Sequence, residues 1–462
     1  MGAELTGWAA KPAYVLGKCL CNAHNALCHR HGTTQPAVRK DIREVLPDFS
    51  KIVDGLLATY LLHPMLDRQN WMEKWPLSKR RSIELSRMMD DIVCGSVKTM
   101  VKREVAHKRP TKARLIQFYK NLLTQSEYGP QFYAAQKTIL GAFNRRDMGH
   151  GIDITMASGM NSSSIGHWMQ SVLDDGATAF YERDGKNWDS SMQASHAEFR
   201  CSLYDCLDPE LGKFARQCVD VVGMAPFEGG VLKYKMKGTV KSGHNDTTLG
   251  NSLVNAAIAF ASMRRLGIRG SIIVAGDDLL VATYDDFDIA RFMDTEAEYG
   301  ITPEARKFSD YRHVTFISGF WARGAEMAFL PLPGRLVARL WWTISPPGKK
   351  RYAAYQRGVA RGLLGVCGSL PIVGTWLRKF DSKGEAERVN KGCNFHEQTA
   401  NFSGYGESIM AERYGVSVGD IRDLDSWLQT LPAAPLMVSH PVLDKMMSVD
   451  LADIAVRGEG VW

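Results

Sequence analysis

The chain has 462 residues, 45% hydrophobic and 23% charged, enough to bury a large core, which excludes a disordered, collagenous or disulfide-stapled protein. Its 57 lysines and arginines exceed its 50 aspartates and glutamates by seven, so any polyanion partner has to be met by local clusters of charge. Nine cysteines, an odd number, and an N-terminus without the basic, apolar and small-residue layout of a secretion signal point to a reducing, cytosolic setting.

Near the start, Cys19, Cys21, His24, Cys28, His29 and His31 fall within 13 residues, and Cys19, Cys21, His24 and Cys28 form a candidate Zn²⁺ set. The spacing is C-x-C in place of C-x2-C, and thiols beside surface histidines give the same letters without a metal. Apolar spacing predicts helices over 37–65 and 78–93, the second through Ile83, Leu85, Met88, Met89 and Ile92, so the first hundred residues read as a helical extension. From Lys98 to Lys120, eight basic residues face one acid, Glu104, a net +7 in a single window; a solvated basic helix face would look alike. The run from Ala177 to Glu182 predicts a strand ending at Asp184. Leu249, Leu253, Ala256 and Phe260 predict a helix from Thr247 to Met263 behind a Ser242-Gly243 turn. Next, Ser271 to Ala275 and Leu279 to Ala282 flank Gly276-Asp277-Asp278, which predicts a hairpin with carboxylates at its tip. Phe316 to Trp321 reads as a strand and turn. After Pro346-Pro347-Gly348 the pattern becomes largely helical, with a boundary near residue 345. The apolar stretch from Gly358 to Leu377 carries Arg361 and five glycines, poor material for a membrane span, so no transmembrane helix is expected.

Adding a nucleotide to a growing strand calls for two divalent cations about 3.5–4 Å apart, and hard cations take carboxylate oxygens. Asp184, Asp277 and Asp278 can supply these if the strand and the hairpin are neighbours in one sheet. A lone Gly-Asp-Asp is also an ordinary tight turn; its surroundings give it meaning. Asp184 and Asp189 form D-x4-D, Ser242, Gly243, Thr247 and Asn251 form S-G-x3-T-x3-N, and Gly276-Asp277-Asp278 follows, with Asp277 26 residues after Asn251. The three segments resemble motifs A, B and C, in that order, of the RNA-dependent RNA polymerases of positive-strand RNA viruses, with a tombusvirus-like and nodavirus-like flavour.

The resemblance implies an α+β right-hand polymerase with an antiparallel palm sheet and helical fingers and thumb. It divides the chain into a helical extension and fingers (1–100), fingers with the basic window (101–176), palm (177–200), fingers (201–240), palm (241–345), and thumb with the C-terminal region (346–462). Asp184, Asp277 and Asp278 would hold two Mg²⁺ or Mn²⁺ ions, while Asp189, Ser242, Thr247 and Asn251 would read the ribose 2′-hydroxyl. Gly243 would let its loop change conformation as template moves. Lys102, Lys108, Arg109, Lys112 and Arg114 resemble motif F, which neutralises the incoming triphosphate, with Arg114 best suited to bidentate phosphate contacts. Lys307, in a segment resembling motif D, would protonate the leaving pyrophosphate, and Phe316 to Trp321 resembles motif E, which grips the nascent strand.

Seven basic residues and no acid lie between Arg335 and Arg361, of which Arg335, Arg339, Lys349, Lys350 and Arg351 would contact RNA; Trp341 and Trp342 read equally as core or as stacking surfaces. The implied partners are template and product RNA, ribonucleoside triphosphates, and other replicase subunits or membrane-bound viral proteins. The implied location is the host cytoplasm, at membrane-associated replication sites. Two rivals are weighed against this reading. Polar Asp189 and Asn251 speak against a reverse transcriptase, and three retained aspartates speak against a non-catalytic RNA-binding scaffold.

Overall fold

The apolar runs Gly270–Ala275 and Asp278–Thr283 pair antiparallel around the two-residue turn Gly276-Asp277, where Gly276 takes the left-handed φ of +64°. They sit at the centre of a six-stranded sheet of order Pro303–Phe308, Ala179–Gly185, Asp278–Thr283, Gly270–Ala275, Ile152–Met156, Arg146–Asp147. The computed structural model describes residues 2–32, 34–106, 113–387, 402 and 404–452. Both faces of the sheet are covered, which is why its central strands read as unbroken apolar runs. Ile272, Val274 and Val281 face the core that contains helix Thr247–Leu266, and Ile273, Leu280 and Ala282 face the core that contains helix Ser162–Asp174.

The expected antiparallel sheet is mixed, because Gly270–Ala275 runs parallel to Ile152–Met156. A parallel pair needs a long crossover, and the hundred-odd residues between these strands supply it. The basic window begins and ends in strands rather than helix. Ser96–Val101 and Leu115–Tyr119 pair antiparallel in a second sheet with Val221–Phe227 and Gly230–Met236. Its period is two, with Val97, Thr99 and Val101 buried and Lys98 and Met100 exposed.

The predicted helical stretches appear as Leu46–Asp54, Leu57–Leu61 and Leu77–Met89, but the first hundred residues are not a purely helical extension. Glu4–Leu5 pairs with Trp342–Thr343, and Trp8–Ala9 pairs with Leu436–Met437. Trp8 is fully buried, edge-on to Trp376 at 5.5 Å, and Gly7 lies so close to Trp341 that a Cβ there would come within 2.5 Å of its ring. The core holding Trp8 also contains Phe320, Trp341, Val359, Trp376 and Leu443, so it continues across residue 345 without a break. The apolar stretch beyond Gly358 packs into this core as helices Tyr352–Cys367 and Val373–Arg378. Among the described residues no helix is long and apolar enough to cross a membrane.

Candidate active site

Strand Ala179–Gly185 pairs with Asp278–Thr283 as far as Arg183 opposite Leu279, which brings Asp184 and Asp278 to the next rung although 94 residues separate them in the chain. Asp277 occupies the tip of the adjoining turn. All three aspartates line one cleft of about 350 Å³, shared with Arg114, Thr315 and Arg335. Each of the three is open to the cleft, and protein walls in Asp184 and Asp278 on their other sides. That loss of hydration, with the charge of Asp277 next in importance, raises Asp184 to about 6, partly offset by Arg183. Asp278 is raised for the same reasons, first by desolvation and then by Asp277 and Asp184. Among the described residues no three His, Cys, Asp or Glu side chains are already drawn together tightly enough to hold an ion. The three aspartates nonetheless present carboxylate oxygens in mutual repulsion to the cleft, the chemistry that a hard divalent cation relieves.

Beside Asp184 on the same face, buried Glu182 accepts from the Thr315 backbone N–H at 2.9 Å, from its hydroxyl at 2.8 Å, and from Arg306 at 2.5 Å. These bonds tie the Asp184 strand to the segment that turns into strand Gly319–Arg323.

Asp189 follows on the short helix Trp188–Ser191, and its Oδ1 accepts from Asn251 Nδ2 at 3.1 Å. Asn251 is buried, and its Oδ1 accepts no hydrogen bond from the described residues. Ser242 and Thr247 are not brought into this pair. Ser242 Oγ donates to the Leu115 carbonyl at 3.2 Å, while the Thr247 hydroxyl lies 2.8 Å from the carbonyls of both Lys241 and His244 and closes the loop. Gly243 is needed for close approach: its N–H donates to the Gln117 carbonyl at 3.0 Å, and a Cβ would meet that oxygen at 2.6 Å. The loop is therefore fastened to the strand Leu115–Tyr119 of the second sheet.

Arg114 reaches the cleft and pairs with Glu104 at 3.2 Å; Lys102 pairs with the same carboxylate at 3.0 Å. Lys108, Arg109 and Lys112 lie outside the described residues, as does the side chain of Lys349. Arg335 lines the cleft and donates to Ser318 Oγ at 2.6 Å, and Arg339 lines an adjoining cavity of about 610 Å³. Lys350 and Arg351 are exposed and line neither space, and Arg351 pairs with Glu387 at 2.7 Å. Trp341 is core, and Trp342 donates to the Lys11 carbonyl at 2.9 Å.

Lys307 is not brought to the aspartates. It pairs across from Tyr181, three rungs from Glu304 opposite Asp184 and on the other face of the sheet, where its ammonium is held by Asp286 and the Phe287 carbonyl. A one-residue step along a strand reverses the face, and the segment's letters do not specify that register. Among the candidate zinc residues, Cys28 Sγ lies 3.6 Å from His24 Nε2, one helical turn away, and no third ligand among the described residues joins them.

Comparison with known proteins agrees with the geometry. Residues 79–308 match the family described as viral RNA dependent RNA polymerase. This stretch belongs to that family. The RNA-directed RNA polymerase of Pothos latent virus (isolate Pigeonpea/India) is 22% identical over 375 residues, 76% of this chain and 49% of that protein. That of Pariacoto virus is 25% identical over 251 residues, 50% of this chain and 25% of that protein. That of Tobacco necrosis virus (strain A) is 23% identical over 210 residues, 44% of this chain and 28% of that protein. The chain thus spans about half the length, or less, of these curated relatives.

Within this polymerase family stretch, the motif reading overlooked Arg183, Ser252, Asn255 and Glu296. Arg183 and Glu296 form a fully buried ion pair at 3.2 Å, and Tyr181 donates to the same carboxylate at 2.6 Å. Ser252 and Asn255 are polar residues in a wholly buried and mostly apolar helix segment, and that anomaly is the signal that could have found them.

Proposed function

We propose that this chain is an RNA-directed RNA polymerase that copies viral RNA from ribonucleoside triphosphates by two-metal-ion nucleotidyl transfer. The observation that carries the reading is the neighbouring rung of Asp184 and Asp278, with Asp277 at the turn and the Asp189–Asn251 pair on adjacent elements. In this reading the six-stranded sheet with helix Thr247–Leu266 is the palm, and the sheet containing Leu115–Tyr119, with the helices before it, belongs to the fingers. The helices after residue 345 form the thumb.

Asp184 and Asp277, aided by Asp278, would hold Mg²⁺ or Mn²⁺, which supplies an activated attacking oxygen and neutralises the triphosphate. Arg114 and Lys102 exchange Glu104 for the triphosphate. Asn251 Oδ1 accepts a hydrogen bond from the ribose 2′-hydroxyl while Asp189 orients the amide. Arg335 and Arg339 follow the RNA backbone away from the aspartates. Template and product RNA are the macromolecular partners. Recruitment to membrane-associated sites in the host cytoplasm falls to other replicase components.

The deciding test is template-dependent synthesis by the purified chain with Mg²⁺ or Mn²⁺ and separately supplied ribo- and deoxyribonucleotides. Ribonucleotide incorporation supports the reading; deoxyribonucleotide incorporation, or RNA binding without synthesis, replaces it with one of the two rivals. Asn251→Ala is expected to lower the ribose over deoxyribose preference roughly tenfold, about one hydrogen bond's worth of energy, and unchanged discrimination would move sugar reading elsewhere. Added Mn²⁺ is expected to raise the thermal midpoint of the wild-type chain. At about a hundred times its dissociation constant, a ligand of the folded state stabilises by roughly 2.7 kcal/mol. A midpoint that does not move would count against a cation site in the cleft.

A further inference from the structure

The turn that carries Asp277 and Asp278 is short, open to the cleft and crowded with like charge, so something beneath it has to hold its backbone. Helix Thr247–Leu266 does so with two buried side chains. The Gly276 N–H donates to Ser252 Oγ at 2.8 Å, and Asn255 Nδ2 donates to the Gly276 carbonyl at 3.0 Å. The Asp278 carbonyl lies 3.4 Å from the same amide nitrogen. Both polar groups of Gly276 are thus taken by one helix, from positions three residues apart that share its face.

The clamp is itself anchored. Asn255 Oδ1 accepts from Arg183 Nη2 at 2.5 Å, and Arg183 is fixed by Glu296, which also takes the Tyr181 hydroxyl. Ser252 and Asn255 are fully buried, where a hydrogen bond competes with no water and its geometry is correspondingly stiff. Arg183 precedes Asp184, so a single network runs from one side of the cleft, through the helix side chains, to the other. The sugar-facing Asn251 is one residue from Ser252 and four from Asn255 on the same helix.

We infer that Ser252 and Asn255 are positioning residues for the acidic turn: they hold Gly276 so that Asp277 and Asp278 stay beside Asp184 against their mutual repulsion. Neither touches substrate. The inference rests on the polymerase reading and deepens it, giving helix Thr247–Leu266 two separable tasks, sugar reading at Asn251 and alignment of the cation-binding carboxylates at Ser252 and Asn255. Groups that orient metal ligands typically change metal affinity about 10- to 100-fold when removed.

The test uses Ser252→Ala, Asn255→Ala and the hydroxyl-keeping Ser252→Thr in the full chain. Mn²⁺ binding is read by electron paramagnetic resonance without substrate, and incorporation, ribose preference, RNA affinity and thermal midpoint are measured alongside. Both alanine variants are expected to weaken Mn²⁺ binding about tenfold or more and to raise the Mg²⁺ concentration for half-maximal incorporation. RNA affinity and the ribose to deoxyribose ratio should stay at the wild-type values, and Ser252→Thr should recover Mn²⁺ binding. Should Asn255→Ala fail to fold, the Ser252 pair alone decides. A wild-type Mn²⁺ isotherm in Ser252→Ala, or a ribose ratio that falls in step with it, overturns the inference. Absence of Mn²⁺ binding and of incorporation by the wild-type chain would instead remove the polymerase reading itself.

Discussion

Asp277→Ala is expected to abolish nucleotide incorporation, by on the order of a thousandfold or more, while the protein stays folded and binds RNA. The magnitude follows from the way catalytic groups act as a unit: loss of one member forfeits most of what the set achieves. Asp277 stands at an exposed turn tip and contributes to the repulsion felt by Asp184 and Asp278, so its removal relieves strain in the free protein. The thermal midpoint should hold or rise, and the midpoint gain on adding Mn²⁺ should shrink. Incorporation within a few-fold of wild type would end the assignment of Asp277 to the cations.

Glu296→Ala is expected to destabilise the fold by about 3–5 kcal/mol, measured by urea unfolding, because it strands a guanidinium in the core. Arg183 and Glu296 are both fully inaccessible, and the Tyr181 hydroxyl loses its acceptor in the same step. Arg183 also stacks on Trp188 with its guanidinium carbon 5.2 Å from the ring centroid, so it has little freedom to swing toward solvent. Glu296→Gln, which keeps the shape and an acceptor, should cost less. A Glu296→Ala chain within about 1 kcal/mol of wild type would mean that the Arg183 charge is compensated by other groups.

Several elements were legible because their signals are local. The apolar runs around Gly276, the helix behind Ser242-Gly243 and the strand leading to Asp184 all form where periodicity placed them. The basic window was legible as charge but not as structure: a run of lysines and arginines hides the alternation of Val97, Thr99 and Val101 beneath it. Its described cations spread accordingly, Arg114 reaching the cleft while Lys98 is exposed on the sheet.

By itself, the sequence determined the acidic hairpin, the helix after the Ser242-Gly243 turn and the residue types that a nucleotidyl-transfer site requires, since neighbours in the chain settle turns and periodicity. Only the tertiary structure decided that Asp184 meets Asp278, that Asp189 meets Asn251 while Ser242 and Thr247 serve the loop, that Lys307 faces away, and that Trp8 docks among C-terminal helices. These depend on strand register and on which apolar faces cover one another. Both are set by burial between segments dozens to hundreds of residues apart, where a shift of one residue would reverse the face each side chain presents.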